Sequence, residues 1–376
     1  MVYVAPMQPR WVILIRYAVL WALLALIGSV SLAVVGHSQL PFSDELTKWP
    51  WLDMWARWDS RWYEMIARDG YWFDRTQQSP VAFFPLYPLT IRALATVTGA
   101  SFIKSGIFIS VCAGLSAFLL FWKWSVQFGT AKTAASAGWV MALWPMAFFL
   151  FGTVYSDALF LCLAIGAFLA LEKGHPLGAA LLGALATAAR PVAPALVVAL
   201  LVRSLELRLA TKKPLRIIDF VPALAVTGLV AYMAFQYLQF GTPTAFIETQ
   251  TSWGQTPGPR NWFKVNFFES ERFEERLARS MMHLSLALLC LGMTARAWKK
   301  LGKGYAVYIV MIMGMPLASS IDFIGLGRYA LACFPALYCL GGLLEEKPKL
   351  RWGWFPVSAV LLGVCVSKFA LGRYIS

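Results

Sequence analysis

Long apolar runs alternate with short polar connections along most of the chain. A helix needs about 20 apolar residues to cross roughly 30 Å of hydrocarbon, so runs of this kind predict membrane spans. The first run follows Arg10 and is too long for a signal-peptide core, so we expect an uncleaved first span. Eleven runs are predicted to span the membrane: Trp11–Gly36, Phe102–Trp122, Thr133–Phe151, Ser156–Leu171, Leu177–Ala189, Val192–Val202, Ile217–Phe240, Met281–Trp298, Tyr305–Ile321, Tyr329–Leu344 and Trp354–Leu371.

Two segments allow a second interpretation. Phe83–Gly99 is short, contains Arg92 and has two prolines in its first turns, so we predict an amphipathic helix in the membrane interface rather than a span. Leu177–Val202 is either one long span or two short helices. Arg190 and the prolines that follow it place a charge and two helix breakers midway, so we predict two helices that meet at Arg190. Adopting both alternatives leaves the later topology unchanged.

Composition supports a membrane protein. Of the 376 residues, 59% are apolar and 14% are charged, and the mean hydropathy is +0.63. Soluble domains contain about 25% charged residues. A net charge of +14 in a soluble protein would suggest a nucleic-acid partner, but so apolar a chain has too little polar surface for that class, and we expect no nucleic acid. The six cysteines form no CxxC pair and the three histidines are scattered, so we predict neither disulfides nor a metal site.

The positive charge falls on one side of the predicted topology. With a cytoplasmic N-terminus, the inner connections carry a net charge of +12, as the positive-inside rule requires. The two outer loops, residues 37–101 and 240–280, are nearly neutral. We therefore predict a single membrane domain over residues 1–376, with short basic connections inside and two long loops outside. Long ordered loops on one face indicate chemistry at the outer surface.

Three carboxylates of the first outer loop are candidates for that chemistry. Asp59 lies beside Trp58 and between Arg57 and Arg61, in an aromatic segment that suits the headgroup layer. It is either a helix N-cap or ion-pair partner, or a general base at the membrane surface. Asp53 and Asp69 are rivals with less distinctive neighbours.

Further polar residues reach the same face at the ends of spans. Tyr155, Ser156 and Asp157 follow the third span, Arg190 lies at the helix break, and Arg328 with Tyr329 opens the tenth span. A charge near the hydrocarbon costs about 2.5–3.5 kcal/mol on insertion scales, so each needs a partner or a function. Asp157 and Arg190 form a structural bridge in one interpretation. In the other, Arg190 or Arg328 binds an anionic lipid phosphate, which suits the arginine fork.

The second outer loop offers groups that suit a sugar site by hydrogen bonding and stacking. The segment Phe240-Gly241-Thr242-Pro243 is followed by Gln250 and Trp253. Gly-Thr-Pro is in the first place a turn signal.

The ordered set of these motifs resembles the PIG-V family, the GPI mannosyltransferase II group with its prokaryotic relatives. The resemblance runs from Trp58 to Pro335. It rests on Trp58-Asp59-Ser60 with Tyr63, Phe83-Phe84-Pro85-Leu86-Tyr87-Pro88, Pro145 with Phe148-Phe149, Tyr155-Ser156-Asp157-Ala158-Leu159-Phe160, Ala189-Arg190-Pro191, Tyr237 with Phe240-Gly241-Thr242-Pro243, Gln250, Trp253, Arg328-Tyr329 and Phe334-Pro335.

The resemblance implies an all-α polytopic membrane protein of the GT-C type, with about 11 transmembrane helices and interfacial amphipathic helices in the first outer loop. It implies an inverting glycosyltransferase that moves a mannosyl residue from a polyprenyl-phosphate sugar to an acceptor hydroxyl on the outer face. The acceptor is a lipid, a glycan or a protein. The chain is short for a eukaryotic member, so we expect the plasma membrane of a prokaryote, or the luminal face of the ER membrane in a eukaryote.

The family's acidic loop residue maps onto Asp59, which we predict as the catalytic base. Its Tyr-Ser-Glu pattern appears here as Tyr-Ser-Asp. We predict no metal and no cofactor, because no dense carboxylate cluster is present. The predicted donor-phosphate residues are Arg328, Arg190 and Tyr329, and the predicted substrate-binding residues are Trp58, Arg61, Tyr63, Tyr155, Asp157, Gln250 and Trp253.

Two other classes of protein compete with the enzyme. A flippase or transporter of a polar lipid or glycolipid requires polar residues at mid-span, whereas those found here gather at one face. A membrane scaffold has no reason to cluster Asp59, Asp157, Arg190 and Arg328. The enzyme hypothesis therefore requires these four residues to lie together.

Overall fold

The computed structural model of the chain describes residues 10–35, 49–253, 255, 258–270 and 273–375. Gly36, residues 37–48 of the predicted first outer loop, and residues 254, 256–257 and 271–272 of the second lie outside this part. Within it the regular structure is helical, with no β-strand. The α-helices are α1 (Arg10–Val35), α2 (Pro50–Asp53), α3 (Ser60–Asp69), α4 (Leu86–Thr98), α5 (Phe102–Ser125), α6 (Ala131–Ala142), α7 (Asp157–Glu172), α8 (Pro176–Thr187), α9 (Pro194–Ala210), α10 (Thr227–Phe240), α11 (Ala245–Glu248), α12 (Pro259–Trp262), α13 (Val265–Phe268), α14 (Phe273–Gly292), α15 (Thr294–Lys300), α16 (Lys303–Ser319), α17 (Leu326–Ala332), α18 (Phe334–Glu346) and α19 (Pro348–Ala370). Short 3₁₀ helices occupy Pro80–Ala82, Ala147–Leu150, Ile217–Val226 and Thr249–Trp253.

The chain is an integral, multi-pass membrane protein. In the described part, five helical segments are long and apolar enough to cross a bilayer, and the bent pair α17–α18 makes up to six. These segments are Trp11–Val35, Phe102–Ser125, Ile217–Phe240, Arg276–Lys300 and Pro348–Ala370. Helices α8 and α16 are apolar but shorter. The predicted count of eleven spans is therefore not confirmed, although the fold class is.

Two predicted spans are not continuous helices. The run Thr133–Phe151 forms only α6, which ends at Ala142, and an irregular segment with Pro145 precedes the 3₁₀ turn Ala147–Leu150. The run Tyr329–Leu344 breaks before α18, and the two helices meet at an angle of 77°. Proline has no backbone N–H and occupies first turns, as Pro335 does in α18. These breaks correct the prediction of two unbroken spans.

The break at Arg190 is confirmed. Helix α8 ends at Thr187 and α9 begins at Pro194, which leaves Arg190 in the connection, where it is 4% exposed. The segment Phe83–Gly99 contains helix α4 (Leu86–Thr98), in which Tyr87 and Ile91 are buried. Its location in the membrane interface stays a prediction.

Helix α7 separates two clusters of charged residues. Its 16 residues begin with Asp157 and end with Glu172, and every residue between them is apolar or glycine. At about 1.5 Å per residue, the backbone positions of these two residues lie about 23 Å apart along the helix. Glu172 binds Arg203 at 2.7 Å and accepts a hydrogen bond from the Tyr305 hydroxyl at 2.8 Å. Asp157 belongs to the candidate site at the other end.

The two predicted outer loops are joined above the Asp157 end of the helices. Arg75 of the first loop forms an ion pair with Glu248 of the second at 2.9 Å. The Ser79 N–H donates to the Thr249 hydroxyl at 3.3 Å, and the Ser252 hydroxyl donates to the Arg75 carbonyl at 3.3 Å. The loops therefore form one layer over this end of the bundle.

Candidate active site

Asp157 is the buried anchor of the site. It is the first residue of α7, and its side chain is 3% exposed. Its carboxylate forms an ion pair with Arg190 and accepts hydrogen bonds from Arg328 Nη2 at 3.2 Å and Nε at 3.4 Å. Removing one partner of a buried ion pair leaves an uncompensated charge and costs about 3–5 kcal/mol. Asp157 therefore fixes both arginines.

Arg328 connects the buried anchor to the first outer loop. Its Nη1 donates to Oδ2 of Asp59 at 3.4 Å, whereas its other two nitrogens face Asp157. The guanidinium lies 4.7 Å from the ring centroid of Tyr155 and 5.0 Å from that of Phe149. Such cation–π contacts fix the plane of the fork. The four charged residues predicted to lie together are thus in one cluster.

Asp59 is at the N-cap position of α3, but its carboxylate forms no capping hydrogen bond. Its backbone N–H donates to the Tyr155 hydroxyl at 3.1 Å, its carboxylate faces Arg328, and the side chain is 25% exposed. Trp58, just before it, has φ of +54°. A non-glycine residue in this region costs about 1–2 kcal/mol, and such strain clusters at functional sites. The Asp59 carboxylate therefore does not cap α3 but forms the ion pair that the alternative interpretation also allowed, and its role as a base stays a prediction.

The environment changes the acidity of Asp59. Desolvation by burial raises the pKa of its carboxyl group above the ordinary value, and the Asp157 charge raises it further, while Arg328 and Arg190 oppose the rise. A general base works best when its pKa lies near the operating pH. The raised pKa therefore moves Asp59 toward the range in which a carboxylate accepts a proton.

Tyr63 and Tyr155 form the apolar wall behind these charges. The Tyr63 hydroxyl and the Ser156 hydroxyl share a hydrogen bond at 3.0 Å. The ring of Tyr63 contacts the ring of Tyr87 edge-on at a centroid distance of 5.0 Å and that of Tyr155 at 6.1 Å. Burial raises the pKa of Tyr63 to about 12, so the hydroxyl stays protonated at neutral pH. Tyr63 is therefore suited to support the site and not to act as its base.

The other predicted substrate-binding residues lie at different distances from the charged cluster. Trp253 packs on Phe83 at 5.8 Å, and Phe83 contacts Tyr63 at 5.3 Å, so Trp253 reaches the aromatic wall. The Gln250 side chain donates to the Phe246 carbonyl at 3.2 Å, within its own loop. Arg61 lies in the first turn of α3 and is partly exposed.

Tyr329 and Arg190 form a second layer. The Arg190 guanidinium lies 5.0 Å from the Tyr329 ring centroid. Because Arg190 is 4% exposed and paired with Asp157, it is less accessible to a ligand than Arg328. This supports the prediction of Arg328 as the first phosphate-binding candidate.

The two rival carboxylates have other partners. Asp53 forms an ion pair with Arg57 at 2.6 Å, and both side chains are buried. Asp69 is 55% exposed and pairs with its neighbour Arg68 at 2.9 Å. Arg57, which lies two residues before Asp59 in the sequence, is therefore paired with Asp53. Of these three loop carboxylates, Asp59 is the one that faces Arg328.

Sequence reasoning missed three residues around the cluster. Phe149 stacks under Arg328, Tyr374 contacts Trp58 at a centroid distance of 4.9 Å, and His283 accepts a hydrogen bond from the Gly327 N–H at 3.0 Å. Phe149 belongs to the Phe148-Phe149 motif of the family resemblance but was not among the predicted site residues. The other two have no local signal, because their partners are far away in the sequence. In the described residues, no group of three or more His, Cys, Asp or Glu side chains could bind a metal.

Comparison with solved structures identifies the fold. The fold is similar to that of ArnT from Cupriavidus metallidurans bound to undecaprenyl phosphate, with a TM-score of 0.52 and 15% identity over 93% of this chain and 64% of that chain. An apo oligosaccharyltransferase from Archaeoglobus fulgidus gives a TM-score of 0.49 and 12% identity, over 96% of this chain and 56% of that one. The chain therefore spans less than two thirds of either protein's length. The likeness to ArnT shows the GT-C fold of membrane glycosyltransferases.

The family follows from the sequence. The profile of the mannosyltransferase (PIG-V) family matches residues 12–269, more than half of the chain. The chain belongs to this family, which confirms the resemblance. A comparison with curated proteins finds no match.

Proposed function

We propose that this protein is an inverting mannosyltransferase that uses a polyprenyl-phosphate sugar as donor and acts at the outer face of the membrane. The observation that carries the proposal is the pair of Asp59 and Arg328. The Asp59 carboxylate is 25% exposed and faces a guanidinium that is 13% exposed and that a second carboxylate, Asp157, fixes in place. The family supports mannose as the sugar. The structure of ArnT with undecaprenyl phosphate supports a polyprenyl-phosphate ligand for this fold.

Asp59 acts as the general base. The acceptor hydroxyl transfers its proton to the Asp59 carboxylate as the acceptor oxygen forms a bond to C1 of the sugar. A positioned base contributes about 10²–10⁴-fold to the rate. The 25% exposure of the side chain gives an acceptor access to it.

Arg328 binds the leaving phosphate. Asp157 accepts hydrogen bonds from Nε and Nη2 of Arg328. The remaining nitrogen, Nη1, makes only a long contact of 3.4 Å with Asp59, so a phosphate oxygen can replace Asp59 as its partner. As the bond between C1 and the phosphate oxygen breaks, its electron pair and the developing charge go to that oxygen. A fixed cation stabilises this charge without reorganisation during the reaction.

The distribution of charge supports an enzyme over a flippase. The charged residues of the site lie at one end of α7, and the 14 residues between Asp157 and Glu172 are apolar or glycine. A path for a polar headgroup needs polar groups along its length. The basic connections predicted on the Glu172 side support an outer location for Asp157.

The test is transfer by the purified full chain in lipid nanodiscs, with labelled polyprenyl-phosphate mannose as donor and a membrane lipid extract as the source of acceptors. We expect a labelled product whose anomeric configuration, measured by NMR, is opposite to that of the donor. Retention of configuration would contradict the single displacement. Failure to form any mannosylated product or to release mannose from the donor would contradict the proposed function.

A further inference from the structure

The segment that follows α19, residues 371–375, returns to the candidate site. Gly372 has φ of +68°, a left-handed conformation that glycine adopts without strain, and it turns the chain after the helix. Arg279 of α14 then fixes Tyr374 in two ways. Its guanidinium lies 5.7 Å from the Tyr374 ring centroid, and it donates a hydrogen bond to the Tyr374 carbonyl. The position of this exposed tyrosine is therefore determined by α14.

A buried histidine ties the same segment to the helix that carries Arg328. His283 Nε2 donates to the Ile375 carbonyl at 2.7 Å, and its Nδ1 accepts from the Gly327 N–H at 3.0 Å. These two partners require a neutral imidazole with the proton on Nε2. Because Gly327 precedes Arg328, one side chain positions both Arg328 and the segment 371–375.

Tyr374 and Trp58 form an aromatic corner beside the base. Their ring centroids are 4.9 Å apart and their planes meet at 67°. Tyr374 is 41% exposed. Trp58 is the residue just before Asp59 and is partly exposed. An accessible aromatic surface therefore borders the group that receives the proton.

We propose that Trp58 and Tyr374 form the acceptor subsite and that its ligand is a pyranose ring. The inference rests on the proposed function. In a single displacement the acceptor attacks C1 opposite the leaving phosphate, so the acceptor lies on the Asp59 side and the phosphate on the Arg328 side. Sugar rings present C–H groups that pack on aromatic faces such as those of Trp58 and Tyr374. Tyr374 thereby sets the preference for a ring over a flexible alcohol.

The test separates the acceptor from the donor. Purified full-length protein in nanodiscs receives labelled polyprenyl-phosphate mannose with methyl α-mannopyranoside, with glycerol, or with water alone. We expect the wild type to form a disaccharide and to prefer the ring over glycerol by at least tenfold. Tyr374→Ala should raise the acceptor KM at least tenfold, while the donor KM and the rate of donor hydrolysis stay within twofold. Tyr374→Phe keeps the ring and should stay within threefold of wild type.

Tyr237→Ala removes a tyrosine that is 60% exposed on α10 and should leave all rates within twofold. A Tyr374→Ala protein that loses transfer and hydrolysis in parallel would overturn an acceptor role, as would an unchanged acceptor KM. Equal use of glycerol and the pyranoside by the wild type would overturn the ring preference. A wild type without any donor turnover contradicts the proposed function itself, which is a different result.

Discussion

Arg328→Lys tests how the two carboxylates share one guanidinium. Arginine reaches Asp157 with two nitrogens at 3.2 and 3.4 Å and Asp59 with the third at 3.4 Å. A lysine ammonium keeps the charge but cannot reproduce this planar fork. Hydrogen bonds to charged groups are worth about 1.5–3 kcal/mol each. Because these contacts are long, we expect a loss of about 1.5–3 kcal/mol in transition-state stabilisation, or roughly 10–150-fold in kcat/KM.

The assay is donor-dependent mannosyl transfer at saturating acceptor, with thermal unfolding of the same preparations. We expect the loss in kcat/KM for the donor to exceed any effect on fold, since the charge between the two carboxylates is retained. Arg276→Lys is the matched control, because Arg276 is 30% exposed and pairs with a single carboxylate, Asp322, at 3.6 Å. Donor kinetics equal to those of the wild type in Arg328→Lys would refute the phosphate role.

Two further predictions follow from the charges of the site. The carboxylate form of Asp59 is the active one and its pKa is raised, so kcat/KM should fall with decreasing pH at a value above the ordinary aspartate pKa of about 3.9. Arg328→Gln removes a charge that lowers the pKa of Asp59, so the fall in kcat/KM should occur at a higher pH in this variant. A fall at the wild-type pH or at a lower pH would contradict the assignment of Asp59 as the base. Asp157→Asn leaves Arg190 and Arg328 without their shared counter-charge and should destabilise the fold by about 3–5 kcal/mol in denaturant unfolding. Asp69→Asn, at an exposed pair, should cost less than about 1 kcal/mol, and equal losses in the two variants would contradict the anchor role.

The sequence predicted a helix break correctly where a charged residue and a proline occur together. Arg190 and the following Pro191 marked a break that α8 and α9 confirm, because a charge and a ring without a backbone N–H both oppose an unbroken span. Pro145 and Pro335 lie inside runs of apolar residues, and hydropathy alone could not show that the helices end there. The structure shows both breaks, and the one at Ala147–Leu150 contains Phe149, which contacts Arg328.

The composition of the charged cluster and its pair of Asp157 with Arg190 could be predicted, but the partner of Asp59 could not. Four charges near hydrocarbon on one face had to find partners, so their convergence follows from the cost of leaving them unpaired. In the sequence Asp59 lies between Arg57 and Arg61, whereas the structure pairs Asp59 with Arg328, which is 269 residues away. The same holds for His283 and the carbonyl of Ile375, which are 92 residues apart. Contacts of this range depend on how the helices pack, which no local pattern encodes.

The most direct test of the account is Asp59→Asn in the purified full chain. The substitution keeps the size of the side chain and removes its ability to accept a proton. We predict that donor binding and thermal unfolding stay close to wild type while transfer of labelled mannose falls by about 10²-fold or more. Asp69→Asn on the same helix should transfer normally. Near-normal turnover by Asp59→Asn, with donor binding intact, would contradict the central claim that Asp59 is the base.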